Sequence, residues 1–318
     1  MNVDDIKIIS GKKMLLEINT GNTSPLVWAE ENKEDIESYL TTSGALLIRG
    51  LNISNSNEFG EVLKILFGED LANYTYRSTP RTEVNSKVYT ATEYPASEVI
   101  PQHNENAYSN AWPMRIGFIC LIPAAKMGNT PISDSRVAYN EIPKEIREEF
   151  ERKKIMYVRN YSDMDLPWQE VFQTDSKAEV EKFCKENRLE YEWTENGLRT
   201  KQVNQASILH PVTKEKLWFN QAHLFHASSL DKELQEGLIE LLGEEYLPRN
   251  TFFGDGTPID LAALTVIRDV YERTKYTFDW KKQDLLLLDN MLYTHGREPY
   301  EGIRQVLVGM ARKYSPVS

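Results

Sequence analysis

The stretch Asp284–Tyr314, DLLLLDNMLYTHGREPYEGIRQVLVGMARKY, decides the fold. Asp284–His295 is apolar enough for one buried strand, and Ile303–Tyr314 reads as a second. Between them REPYEG (Arg297–Gly302) carries Pro299 and Gly302 and reads as a turn, so the pair predicts a hairpin. Further out, GALLIRGL (Gly44–Leu51) and RIGFICLI (Arg115–Ile122) have the apolar, β-branched character of buried strands. Helical spacing marks Asn55–Gly68, where Phe59, Val62, Leu63 and Leu66 share a face, and also Pro143–Lys154, Ala178–Glu186, Leu230–Leu242 and Ala262–Thr274. The first forty residues read as short strands and turns. Strands outnumber central helices, which predicts a mainly β fold with flanking helices, a sandwich or barrel. Neither a repeat nor a Gly/Ser/Pro-rich linker divides the chain. One domain over residues 1–318 is expected, with a helical and loop insertion at roughly 140–250.

The 318 residues are 41% hydrophobic and 27% charged, enough for a large core. No uncharged apolar run reaches the ~18 residues of a membrane span. The opening MNVDDIKIIS lacks a basic start followed by an apolar stretch, so no secretion signal is expected. Lys+Arg 37 against Asp+Glu 48 gives −11, which argues against nucleic acid or anionic lipid as the main partner. Two cysteines, Cys120 and Cys184, exclude a disulfide framework, a four-cysteine zinc site and an iron–sulfur cluster held by this chain alone. A cytoplasmic location is expected. No GxGxxG or GxxxxGK[ST] is present to cradle a nucleotide phosphate.

Histidine is scarce: five in the chain, at 103, 210, 223, 226 and 295. In a strand, residues i and i+2 point to one face, so His103 and Glu105 of His103-Asn104-Glu105 would converge. One imidazole and one carboxylate on a face supply two members of a 2-His-1-carboxylate triad, an arrangement suited to non-haem Fe(II) and O₂. His295 closes the strand before the hairpin turn. If the hairpin pairs so that partner numbers sum to about 599, His295 lies opposite Arg304, about 5 Å apart at Cβ. A guanidinium beside a metal-ligating histidine suits the far carboxylate of a dicarboxylate co-substrate, since Arg grips a carboxylate with two parallel donors.

Five blocks in order carry a family resemblance: PQHNENAYS (Pro101–Ser109), GNTPISDSR (Gly128–Arg136), WFNQAHLFHASSL (Trp218–Leu230), FFGDGTPI (Phe252–Ile259) and LLLLDNMLYTHGREPYEGIRQVLVGMAR (Leu285–Arg312). From about Gly44 onward the chain resembles the taurine dioxygenase (TauD/TfdA) superfamily of Fe(II)/2-oxoglutarate oxygenases. It looks closest to the SyrP-like branch associated with amino-acid hydroxylation in nonribosomal peptide pathways. The resemblance implies a double-stranded β-helix, or jelly roll, of clavaminate synthase-like type. It implies His103, Glu105 and His295 as iron ligands, and Arg304 with Thr130 as the anchor for the distal carboxylate of 2-oxoglutarate, O₂ being the other co-substrate. Two departures stand out. Met127-Gly128-Asn129-Thr130 replaces the commoner Gly-Gly-x-Thr, and Glu105 stands where many relatives have Asp. A carboxylate at that position argues against halogenation, because halogenating relatives have Ala or Gly there.

The implied activity is hydroxylation of an unactivated C–H bond in an amino acid or amino-acid derivative of secondary metabolism, free or presented on a carrier protein. Desaturation, cyclisation or epimerisation would use the same ligands. Arg297, two residues past His295, together with Arg77, Arg81, Arg115 and Asn220, are candidate substrate contacts, and a homo-oligomer is open. Two rivals belong to other classes: a jelly-roll binding protein without chemistry, and a zinc hydrolase built on His210, His223 and His226. Against the second, there is no HExxH. The three central histidines are expected to be wall or packing residues.

Overall fold

A computed structural model describes residues 5–9, 12–21, 23–162, 164–195 and 197–316. The larger sheet runs Asp5–Ile9, Lys12–Asn19, Ala45–Arg49, Leu285–Asp289, Trp112–Ile122, Gln305–Tyr314, Val88–Thr90, Glu83–Asn85. A smaller sheet runs Ile100–His103, Tyr293–Arg297, Ile132–Asp134. Phe118, Leu286, Val308 and Met310 of the first share one apolar cluster with Ile132 and Tyr293 of the second. Two sheets, antiparallel except where Lys12–Asn19 runs parallel to Ala45–Arg49, close on a common core and make a jelly roll.

The outer face of the larger sheet is covered by the helices Pro25–Thr42 and Ser56–Phe67. Asn55 caps the second helix by accepting from the Glu58 amide, and Gly68 closes it in the left-handed conformation. Close approach of this helix depends on two glycines. Gly117 and Gly309 are register partners, and a Cβ on either would come within 2.5 Å of a Leu63 methyl.

The C-terminal stretch departs from the expected hairpin. Asp284–His295 is not one strand: Leu285–Asp289 lies in the larger sheet and Tyr293–Arg297 in the smaller. The switch occurs at residues 290–292, where Asp289 Oδ1 accepts from the amides of Met291 and Leu292. Gln305–Tyr314 pairs with Trp112–Ile122 and Val88–Thr90, not with the His295 strand, so the expected register does not form. A run of apolar residues cannot by itself reveal such a corner, because both halves are buried.

Two further readings change. Pro25–Thr42 is an 18-residue helix where strands and turns were expected. Its buried residues Trp28, Ala29, Ile36 and Leu40 are separated by the charged run Glu30–Asp35, which masks the stripe. Ser24-Pro25 opens the helix with proline in its first turn. Within 140–250, beside the expected helices, lies a four-stranded antiparallel sheet: Glu190–Thr194, Gly197–Asn204, Ile155–Tyr161, Arg249–Phe253. Tyr157, Tyr161 and Phe225 pack on it in a separate apolar cluster.

Candidate metal centre

His103 and His295 are cross-strand partners of the smaller sheet, with ring centroids 4.5 Å apart at 52°. Glu105 arrives differently from the expected i, i+2 strand geometry. The strand Ile100–His103 ends at the histidine, and Glu105 sits in the following turn, before Asn106 at φ 57°. The convergence survives this change. One ligand atom from each of His103, Glu105 and His295 lies within 4.8 Å of the other two.

The turn is fastened residue by residue. Asn290 Oδ1 accepts from the Glu105 amide at 2.7 Å, and its Nδ2 donates to the carbonyls of Glu105 at 3.0 Å and Pro113 at 2.8 Å. Gln221 Nε2 donates to the Asn104 carbonyl at 2.6 Å, and His223 Nε2 to that of Gln102 at 2.9 Å. The block Trp218–Leu230 therefore supports the ligand-bearing segment from behind.

The imidazoles are poised as neutral donors. His103 Nδ1–H donates to the Pro101 carbonyl at 2.8 Å, which leaves the Nε2 lone pair bare. His295 Nδ1 is buried with no hydrogen-bond partner among the described residues, and Nε2 lies 3.8 Å from Glu105 Oε2, beyond hydrogen-bond reach. Burial holds His103 below the ordinary range. It pushes His295 well below, with the neighbouring His103 and Arg81 adding to the effect. Two neutral imidazoles with one carboxylate, their ligand atoms mutually within 4.8 Å, are a donor set for Fe(II). The residues fit the ion.

The cleft beside them is lined by Arg81, Phe118, Thr130, Arg297, Arg304 and Val306 among others. Arg304 Nε donates to the Gly128 carbonyl at 2.8 Å and Nη2 to Thr130 Oγ1 at 3.4 Å, while Trp280 Nε1 donates to the same hydroxyl at 3.0 Å. Among the described residues no carboxylate pairs with Arg304, and burial works against its charge. Arg304 thus reaches the cleft from the loop before its strand. Arg304 and His295 line one cleft without the expected register.

The remaining candidates separate clearly. Arg81 donates to Glu105 Oε2 at 2.7 Å, both side chains being under 5% exposed, and lies over the Tyr74 ring. Burial opposes its charge, yet Glu105 and Tyr74 hold the guanidinium above its ordinary range. Arg297 lines the cleft but grips a loop through the carbonyls of Tyr94, Pro95 and Glu98. Arg77 bonds to the carbonyls of Tyr74 and Arg81. Arg115 is consumed by Asp289 and Glu37. Asn220 staples its own loop, donating to the Ala206 carbonyl and accepting from the Ala222 amide. Arg77, Arg115 and Asn220 are not among the residues lining this cleft.

The central histidines do not gather. His210 meets Asp289, His223 meets Gln102, and His226 Nδ1 accepts from the Ser228 amide. Among the described residues, His103, Glu105 and His295 are the one cluster of His, Cys, Asp or Glu at metal-binding spacing. The hydrolase reading loses its site. Reading the sequence alone missed the fastening roles of Asn290, Gln221 and His223. The dipeptide Asp289-Asn290, polar within an apolar strand, was the available signal.

No helix among the described residues is long and apolar enough to cross a membrane. The family model for the taurine catabolism dioxygenase TauD, TfdA family matches residues 17–311. The chain is 40% identical over 277 residues to the dapdiamide synthesis protein DdaC of Enterobacter agglomerans, covering 86% of this chain and 84% of that one. It is 29% identical over 293 residues to a clavaminate synthase-like protein of Arabidopsis thaliana, covering 88% and 85%. The crystal structure of AAD-2 with Mn(II) and N-oxalylglycine superposes with a TM-score of 0.55 over 95% of both chains, at 14% identity, a likeness of fold. The chain belongs to the TauD/TfdA family and is a 2-oxoglutarate-dependent non-haem iron dioxygenase.

Proposed function

We propose that His103, Glu105 and His295 hold Fe(II), that Arg304 and Thr130 bind the distal carboxylate of 2-oxoglutarate, and that the enzyme hydroxylates an amino acid or amino-acid derivative in secondary metabolism. The observation that carries the reading is Arg304, a guanidinium without a carboxylate partner among the described residues, facing the same cleft as both imidazoles. An unpaired cation in such a site calls for an external anion. Iron with 2-oxoglutarate supplies O₂ activation: 2-oxoglutarate becomes succinate and CO₂, and the second oxygen atom enters the substrate. Arg304 and Thr130 orient the co-substrate from its far end. Phe118 and Val306 give the cleft apolar walls that keep water from the reacting bond.

Charge supports the substrate class. Arg81, Arg297 and Arg304 line the cleft with the Glu105 carboxylate beside them. The charges of Fe(II) and of 2-oxoglutarate cancel, so positive charge remains to attract an anionic or zwitterionic substrate. Kinship with a dapdiamide synthesis protein supports a place in secondary metabolism. The test is succinate release screened across amino acids, free and carrier-bound, with mass spectrometry of the product. Gain of one oxygen atom is expected. Loss of two hydrogens would mean desaturation or cyclisation, and unchanged mass with inverted stereochemistry would mean epimerisation.

A further inference from the structure

We infer that Asn290 is a positioning residue that pre-sets the ligand triangle before metal arrives. Every polar group of Asn290 is engaged. Its amide donates to the Met114 carbonyl at 3.0 Å, and its own carbonyl accepts from Asn104 Nδ2 at 2.6 Å. The side chain brackets Glu105, taking the amide on Oδ1 and giving Nδ2 to the carbonyl, with Pro113 as a third anchor. Both backbone groups of the carboxylate ligand are thus tied to one buried side chain.

The location gives this contact its meaning. Asn290 stands at the corner where the chain passes from the larger sheet to the smaller, five residues before His295. His103 and His295 are already matched by strand pairing, whereas Glu105 lies outside any strand. Asn290 is therefore the tie between the turn bearing Glu105 and the chain that runs into His295. Asp289 holds the corner itself: Oδ1 takes the amides of Met291 and Leu292, and Oδ2 meets His210 and Arg115. Partners outside the ligand shell that orient metal ligands commonly change metal affinity by about 10–100-fold.

This inference rests on the proposed iron ligands, and the test separates the two. Anaerobic Co(II) titration of metal-free wild type and Asn290→Ala is followed by the visible bands of the bound ion. The variant, with wild-type near-ultraviolet circular dichroism, is expected to bind about 10–100-fold more weakly and to show altered band intensities at saturation, a change that loss of stability alone does not cause. A folded variant with wild-type affinity and spectrum overturns the inference and leaves the ligand set standing. Amide exchange of the peptide containing residues 103–107 decides independently, including the case where Asn290→Ala does not fold. In wild type that peptide is expected to be equally protected with and without Co(II). Free exchange without metal and protection only with it would mean that the ion orders the turn, which overturns the inference. Wild type that binds no Co(II) sinks the ligand assignment, while exchange of the metal-free protein still tests the positioning.

Discussion

His103 and His295 sit directly opposite one another on antiparallel strands, their ring centroids 4.5 Å apart. Directly opposed residues share a face and hold their Cβ atoms about 4.5–5.5 Å apart, so strand pairing, not a loop, sets the imidazole spacing. The cost of pointing two such rings at each other shows in their titration. Burial pushes both below the ordinary range, and His103 further lowers His295. Both stay neutral, the form that binds metal.

Arg304→Met should raise the KM for 2-oxoglutarate by about 10–100-fold with a smaller change in kcat, because a charge-assisted pair is worth about 1.5–3 kcal/mol. Arg304→Lys should recover part of the loss, and Thr130→Val should cost only a few-fold. Steady-state succinate formation checks all three. An unchanged KM in Arg304→Met would remove the arginine from the co-substrate site.

Arg81→Met should destabilise the metal-free protein by about 3–5 kcal/mol, since it strands the buried Glu105 carboxylate without its cation. A bound divalent ion supplies the missing positive charge. The drop in melting temperature should therefore be smaller with Co(II) than without it. Equal drops in both states would show that the ion does not reach Glu105.

Burial, with Arg268 adding to it, brings both His223 and His226 down to about 4. In the unfolded chain they titrate near ~6.5. Between these values the unfolded state binds more protons, so stability is fully present above about pH 6.5 and declines as pH falls toward about 4. His223 alone contributes on the order of 3 kcal/mol over that window. Melting curves of the metal-free protein from pH 7 to pH 4 should show the decline, and His223→Gln should flatten it. Parallel profiles for variant and wild type would contradict a neutral, buried His223.

Residue type and order made the catalytic reading possible, whereas three-dimensional routing stayed hidden. His103, Glu105 and His295 could be picked out because few residue types bind metal and the chain has five histidines to choose from, whereas Thr130 entered through the family resemblance alone and Arg304 through that resemblance and a register that does not form. The reasons for their proximity were not visible. His295 and Arg304 approach through a corner and a loop, not a hairpin register, since burial on both sides erases the alternation that would reveal a strand switching sheets. Arginine side chains were the least readable. Arg115 and Arg297 stand in apolar or turn contexts in the sequence, yet one is neutralised by acids from a helix and a strand, and the other is held by three carbonyls of a distant loop. Long flexible side chains find partners that sequence spacing does not encode.

Anaerobic titration of metal-free protein with Fe(II) and 2-oxoglutarate, followed in the visible, tests the iron assignment most directly. A charge-transfer band should develop only when both are present, saturate at one Fe(II) per chain, and be missing from His295→Ala. No band from folded wild type, or a full band from His295→Ala, would contradict it.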